Sequence, residues 1–518
     1  MLSIIFFYFF NSTNAFSQSI KNLTDVEIAY NAIFQDITVD NSNNVISIGY
    51  KPYYENNEEY MTLTKFDSDN HILWEKRFKD VQGYDITTDK SGNIYIIGQA
   101  KQTTTINDVK LQVDANYYIK SEFILKLNKM GDFQWIKPFK RGLDANGYYR
   151  AYSPSIETDS NGDIHVFGTF FYFIEIDNFR NEIETIPNSY QQYVNYKSDY
   201  LLKMRDNGSL IYAKALNKTF FNSYINTQQP PKIVIDKLDN VYILGGNETN
   251  NRSFDNQTID FTYNDNNEVY IGIYLAKYNS NGILKWVRNI AKGQMSVSGI
   301  TVQTSGLYII GASSQDVDIN FGNDIVLYDD RSNHGFTNFI TKFNITDGNT
   351  MWAKKAPSSF KAYGSITSDC TGNIYVGGSG LGKYSNEGDL LWVEELIVTS
   401  NWTFIKELKM NSNEGQIKLL APSEGNVIFI DSLIYDKPEF RGILITVQDV
   451  IPDCNIAIIT CPAGCEGKGE NQRFAVLGEV ILGKEEYQVT GILDINDNET
   501  QVSVCANLKE KTTNFKGK

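Results

Sequence analysis

The side chains that could do chemistry are unevenly supplied along this chain. Only three histidines occur, His71, His165 and His334, so a histidine-based triad or zinc site has almost no material. Carboxylates are abundant, which leaves a paired-acid glycosidase open, although no pair stands out from the turns. Asp40, Asp89, Asp159, Asp236 and Asp369 each stand five positions before the first apolar residue of a following apolar run. Such aspartates could hold Ca²⁺, but a spacing that recurs with the chain itself suits carboxylates bonding the backbone of tight turns. Gly478-Glu479-Val480-Ile481-Leu482-Gly483-Lys484-Glu485 has the outline of a phosphate loop. There Glu485 stands where the metal-binding Ser or Thr belongs, and Val480 to Leu482 is strand-forming, so the nucleotide reading fails. No cofactor and no metal are expected.

Two further groups stand out. Four of the five cysteines, Cys454, Cys461, Cys465 and Cys505, fall after Val450. In an exported chain they are expected to form two disulfides supporting a core too small to stand alone, with Cys370 left as a free thiol; zinc is the alternative, in a tail without histidine. The second group is aromatic: Phe171, Tyr172, Tyr190, Tyr193 and Tyr196, together with Phe170 and Phe173, interleaved with Asn, Gln and Asp. These rings could stack sugars or anchor a protein partner. Equally, they could pack beneath a long loop as a satellite core.

The elements that must carry these residues are legible as repeats. Tyr84 to Gly98 reads as a strand, a tight polar turn and a second strand closed by glycine. The pattern recurs at 37–49, 156–168, 233–245, 300–311 and 366–377, and in degenerate form at 408–421. After each complete copy comes a second motif, of which Lys126-Leu127-Asn128-Lys129-Met130-Gly131-Asp132-Phe133-Gln134-Trp135 is the type, with relatives beginning at Lys65, Lys203, Lys277, Lys342 and Lys383. Two hairpins make a four-stranded antiparallel blade, and seven blades stacked radially make a β-propeller. The last repeat lacks its Trp strand. Val26 to Tyr30, which precedes the first repeat without a partner, is expected to supply it and so close the ring.

Asp-x-x-Gly-Asn-Ile-Tyr followed by Lys-[Phe/Tyr]-Asn-x-x-Gly-x-x-x-Trp resembles the SBBP (seven-bladed β-propeller) repeats of secreted and surface proteins, over about residues 26–448. The resemblance implies fold more than function, since propellers host enzymes, lectins and scaffolds alike. The tail, with Cys461-Pro462-Ala463-Gly464-Cys465, then Phe474 to Gly478, then Ser503 to Ala506, is similar in order to the LCCL module. The expected fold is therefore all-β, with residues 1–17 a signal peptide, 18–450 a seven-bladed β-propeller and 451–518 a small disulfide-bonded β module.

Charge and leader bound the function. With 47 Lys and Arg against 62 Asp and Glu the net charge is −15, which repels phosphate backbones and excludes nucleic acid as a partner class. Leu2 to Phe10 is an apolar run too short to span a bilayer and ends in small residues at Ala15 and Ser17, as in a secretory leader, though no basic residue precedes it. The mature chain is expected to be secreted or at the cell surface, monomeric and without a membrane span. Long excursions between second and third strands, at 99–122, 169–199, 246–272 and 312–337, must leave the face opposite the tight turns. The reading that results is a non-catalytic propeller recognising a glycan or cell-surface protein through that long-loop face. The alternative is a glycan-active propeller hydrolase.

Overall fold

The computed structural model describes residues 23–27, 33–51, 59–113, 119–142, 153–182, 194–222, 231–247, 251–255, 257–260, 272–291, 295–313, 318–328, 337–356, 363–369, 371–398, 405–411, 416–429, 432–448, 473–482, 485–495, 502–504 and 507–511. Among these residues there is no helix, and all regular structure is antiparallel strand. The chain divides into a larger unit, residues 1–411 with 416–449, and a smaller one, residues 412–415 with 450–518.

In the larger unit each repeat forms an antiparallel ladder of four strands taken in chain order. The second repeat shows the pattern: Val81–Thr88 pairs with Ile94–Ala100, which pairs with Ile119–Leu127, which pairs with Phe133–Gly142. The first strands are Ile33–Val39, Val81–Thr88, Ser155–Thr158, Lys232–Ile235, Met295–Gln303, Tyr363–Ser368 and Glu407–Asn411. Each neighbours the next in chain order, and the last neighbours the first, so they form a closed inner circle. The final ladder is completed from the other end of the chain: Leu23–Glu27 pairs antiparallel with the segment from Ile443 to Val447, a few residues earlier than the expected Val26 to Tyr30.

Why these residues repeat is visible in the contacts between neighbouring ladders. Each turn aspartate staples its own hairpin. Asp89 Oδ1 accepts the backbone N–H of Ser91 and Asn93, both at 2.9 Å, while Oδ2 accepts Tyr95 Oη at 3.0 Å. Asp40, Asp159, Asp236 and Asp369 make the same backbone bonds. The recurring lysine of the third strand reaches forward instead. Lys126 Nζ lies 5.3 Å from the Tyr95 ring centre and donates to the Asp206 carbonyl in the next ladder's outer turn, 2.9 Å away. Lys65, Lys203, Lys277 and Lys342 likewise donate to carbonyls of the following turn. In the seventh ladder the lysine has moved to the second strand, where Lys418 donates to Ser68 O at 2.7 Å and joins the last ladder to the first.

Tryptophan completes the clasp. Gly131, at φ 77°, sits against the Trp74 ring of the preceding ladder, where a Cβ would lie 3.0 Å from Cζ2. Between ladders the apolar faces interdigitate, as where Ile46, Ile48 and Leu63 of the first meet Ile86, Ile96 and Phe123 of the second.

The excursions add short hairpins, among them Thr104–Ile106 with Val109–Leu111, Asn251–Phe254 with Gln257–Asp260, and Ile319–Asn320 with Val326–Leu327. These do not simply stand on the loop face. Phe254 and Phe321 are buried in the inter-ladder cores, and Thr350 Oγ1, at the start of an outer strand, donates to Phe321 O at 2.7 Å. The hairpins thus run down the rim and cover outer strands. The smaller unit is an antiparallel sheet of Arg473–Leu482, Glu485–Ile495, Val502–Val504 and Asn507–Lys511.

Candidate functional site

The inner circle encloses a cavity of about 150 Å³ to which all seven first strands contribute. Strand alternation decides which side chains face it. Aligning the repeats on their recurring apolar residue (Ile37, Ile86, Ile156, Ile233, Ile300, Ile366, Leu408), the residue just before it is Asp36, Asp85, Ser155, Lys232, Gly299, Ser365 or Glu407, and all seven line the cavity. The residue just after contributes Glu157, Val234 and Lys409. Both positions lie toward the start or middle of strands whose far ends enter the tight turns.

A β-bulge recurs beside this position, at Phe34/Asp36, Gly83/Asp85, Val297/Gly299 and Tyr363/Ile366. Bulges free backbone N–H groups and re-aim side chains. Here the carboxylates take up those donors. Asp36 Oδ1 accepts Ile37 N at 2.8 Å and Oδ2 accepts Ile86 N of the second ladder at 3.1 Å. Asp85 Oδ1 accepts Ile86 N at 2.8 Å, and its Oδ2 accepts Ser155 Oγ at 2.7 Å and Ile156 N at 2.9 Å in the third ladder. Thr87 Oγ1 donates to Glu157 at 3.1 Å.

Asp36 and Asp85 also hydrogen bond each other, which requires a shared proton. Burial, with Asp85 and Glu407 nearby, pushes the Asp36 carboxyl well above the usual range. Burial also opposes ionisation of Asp85, but the hydrogen bond from Asp36 and the lysines Lys409 and Lys232 outweigh it and hold Asp85 low. Burial raises Glu157 against the pull of Lys409. The ammonium of Lys409 loses by burial and gains more from Asp36, Glu157, Glu407 and Asp85, so it stays charged. Chemically, this is an internally neutralised centre with one ionised and one protonated acid in contact.

Beside the cavity lies a second buried polar group. Arg141 Nη2 meets Glu122 Oε1 at 2.6 Å, and Arg141 Nη1 donates to Thr169 O of the third ladder at 2.6 Å, with both side chains fully buried. The cavity-lining Tyr84 lies within their field, and burial, with Glu122 adding to it, raises its phenol.

The residues singled out from sequence fall elsewhere. Phe171 is 2% exposed, on the strand Ile164–Ile176, and Phe170 is fully buried in a core, so both rings are packed rather than presented to a ligand. Tyr172 and Tyr196 lie on paired strands, Ile164–Ile176 and Val194–Met204. Tyr190 and Tyr193 lie outside the described residues, as do Cys370, Cys454, Cys461, Cys465 and Cys505. His165 is buried against Asp159 at 3.1 Å, in the place of the repeat tyrosine. No group of three or more potential metal ligands occurs among the described residues. The central carboxylates went unnoticed in the sequence, although alignment of the repeats at the position before the recurring Ile would have found them.

Residues 77–101 match the SBBP family, described as a β-propeller repeat. No curated protein sequence matches the chain. Among solved structures the chain is similar to polysaccharide lyase Uly1, at 9% identity and TM-score 0.40 over 83% of this chain and 99% of that one. It is also similar to the Dos1 propeller, at 5% and 0.38 over 80% and 78%, and to Sqt1 from Chaetomium thermophilum, at 6% and 0.38 over 83% and 100%. Likeness at this level carries no functional argument. The chain is an all-β protein with a β-propeller fold that carries an SBBP repeat.

Proposed function

We propose that this chain is an exported, seven-bladed, non-catalytic binding propeller that recognises a glycan or cell-surface protein through its long-loop face, about Tyr190, Tyr193 and Tyr196. The observation that carries this reading is the engagement of the central acids: Asp36 and Asp85 spend their oxygens on backbone N–H groups of adjacent ladders. Groups used as staples between ladders are poor candidates for turnover. At about 150 Å³ the cavity is also smaller than the roughly 300 to 1,000 Å³ of pockets that hold organic ligands. Recognition then falls to surface loops on a rigid disc. The chain is read as a monomer, its leader directing export and its four tail cysteines paired in two disulfides.

One observation favours the rival hydrolase, namely that Asp36 is held protonated while Asp85 is held ionised, as in acid and base pairs. The test is a glycan and surface-protein panel run with the full chain. Replacing Tyr190, Tyr193 and Tyr196 together by Ala should weaken binding of the identified ligand at least tenfold, while Lys237→Ala on the tight-turn face should not. Release of reducing sugar that disappears in Asp36→Asn or Asp85→Asn would instead establish the hydrolase.

A further inference from the structure

On a repeat scaffold the recurring residues hold the fold, so departures from the repeat point to what one position does that the others do not. The second ladder is the only one of the seven repeats with a lysine in both of its tight turns, Lys90 and Lys129. The two turns touch: a Cβ on Gly92 would lie 3.3 Å from Lys129 Cβ. Both lysines are exposed, and neither side chain forms an ion pair among the described residues, which is notable in a chain of net charge −15.

They border a groove of about 390 Å³ between the first and second ladders, on the tight-turn face. That volume lies within the range of small-ligand sites. Its floor is fixed. Lys65 is buried there, 2.8 Å from Asp40 Oδ2, and donates to Lys129 O at 3.1 Å, while Asn41 Nδ2 donates to Lys90 O at 2.8 Å. The carboxylate lining the groove is that of Asp40, already paired with Lys65. At the outer mouth stand Leu73 and Met130, 52% and 60% exposed, with an edge of Trp74 between the ladders. Ser42 and Ser91 offer hydroxyls at the inner end.

We propose that this groove binds an acidic saccharide unit. A pyranose carries on one small body the three surfaces the groove offers. Its apolar C–H face suits Leu73 and Met130, its hydroxyls suit Ser42, Ser91 and Asn41, and an attached carboxylate suits Lys90 and Lys129. A neutral sugar would leave two ammonium groups unused. An inorganic anion would leave the apolar mouth exposed. This site lies on the tight-turn face and is independent of the long-loop reading proposed above.

The test is calorimetric titration of the full chain with a glucuronate-containing disaccharide, with cellobiose as the neutral probe and sodium sulfate as the bare anion. Binding of the acidic disaccharide at least tenfold tighter than either control, weakened at least tenfold in the Lys90→Gln/Lys129→Gln double variant and by added salt, is expected. Lys237→Gln, another exposed turn-face cation, should bind as the parent does. The inference is overturned by no binding of the acidic disaccharide, by equal binding of cellobiose or sulfate, or by binding indifferent to the lysine substitutions. Because the tyrosine variant tests the long-loop face alone, failure of either site is distinguishable from failure of the other.

Discussion

Replacing Arg141 by Met probes the seam between the second and third ladders. The guanidinium bonds Glu122 at 2.6 Å and Thr169 O at 2.6 Å, and neither charged side chain reaches solvent. Without it Glu122 would be left a buried acid without its partner, beside the buried Phe123 and Phe139, and the Thr169 carbonyl would lose this donor. Breaking a buried pair from one side costs about 3 to 5 kcal/mol, because the partner's desolvation is no longer offset. The complementary Glu122→Leu change strands the guanidinium and should cost a similar amount. The double variant removes both charges and leaves the Thr169 carbonyl without this donor, so it should lie within about 2 kcal/mol of the parent. The assay is denaturant unfolding of all four proteins, followed by tryptophan fluorescence. The cycle should then give a coupling energy of about 3 kcal/mol or more. If Arg141→Met costs less than about 1 kcal/mol, or if the double variant is as unstable as the two single changes summed, the ion pair does not hold this seam and the reasoning fails.

Other expectations follow from the same contacts. His165 stands where four of the other ladders have Tyr95, Tyr242, Tyr308 and Tyr375 and the first has Ile46, and burial, opposed by Asp159, pushes its pKa down. The folded state therefore binds a proton less readily than the unfolded chain, so stability should decline as pH falls below about 6.5; His165→Tyr should gain about 1 kcal/mol near neutrality and flatten that decline in melting curves. Gly388 has φ 78°, and a Cβ there would meet the Trp352 ring at 2.7 Å, so Gly388→Ala should cost about 2 to 4 kcal/mol in the same unfolding assay, whereas an unchanged midpoint would mean the clasp is loose. Removing residues 18–31 takes away the strand Leu23–Glu27 and bares the edge of its partner strand; the melting temperature should fall and light scattering should show aggregation, and unchanged melting would argue against closure by this strand.

Much of the architecture is written locally. An Asp followed by Gly-Asn and an alternating apolar run specifies a hairpin within about a dozen residues, because the turn aspartate and the strand alternation act over that distance. The degenerate last repeat and the unpartnered N-terminal segment likewise showed that the ends must meet. What the repeat lysine and tryptophan touch was not legible, since Lys126 finds the Asp206 carbonyl only in the next ladder, 80 residues on. Nor was the burial of Phe171 decidable, because an aromatic run between polar residues reads the same whether it lines a strand or a loop.

The sequence by itself determined the repeat, its hairpins and the charge balance, all properties of short windows or of composition. Only the tertiary structure decided which side chains share the centre. Asp36, Asp85, Glu157 and Lys409 are separated by up to several hundred residues, and each looks like an ordinary strand residue. Their shifted protonation arises from ring closure, which buries Asp36, half-buries Asp85, Glu157 and Lys409, and sets acids of the first three ladders against a lysine of the seventh.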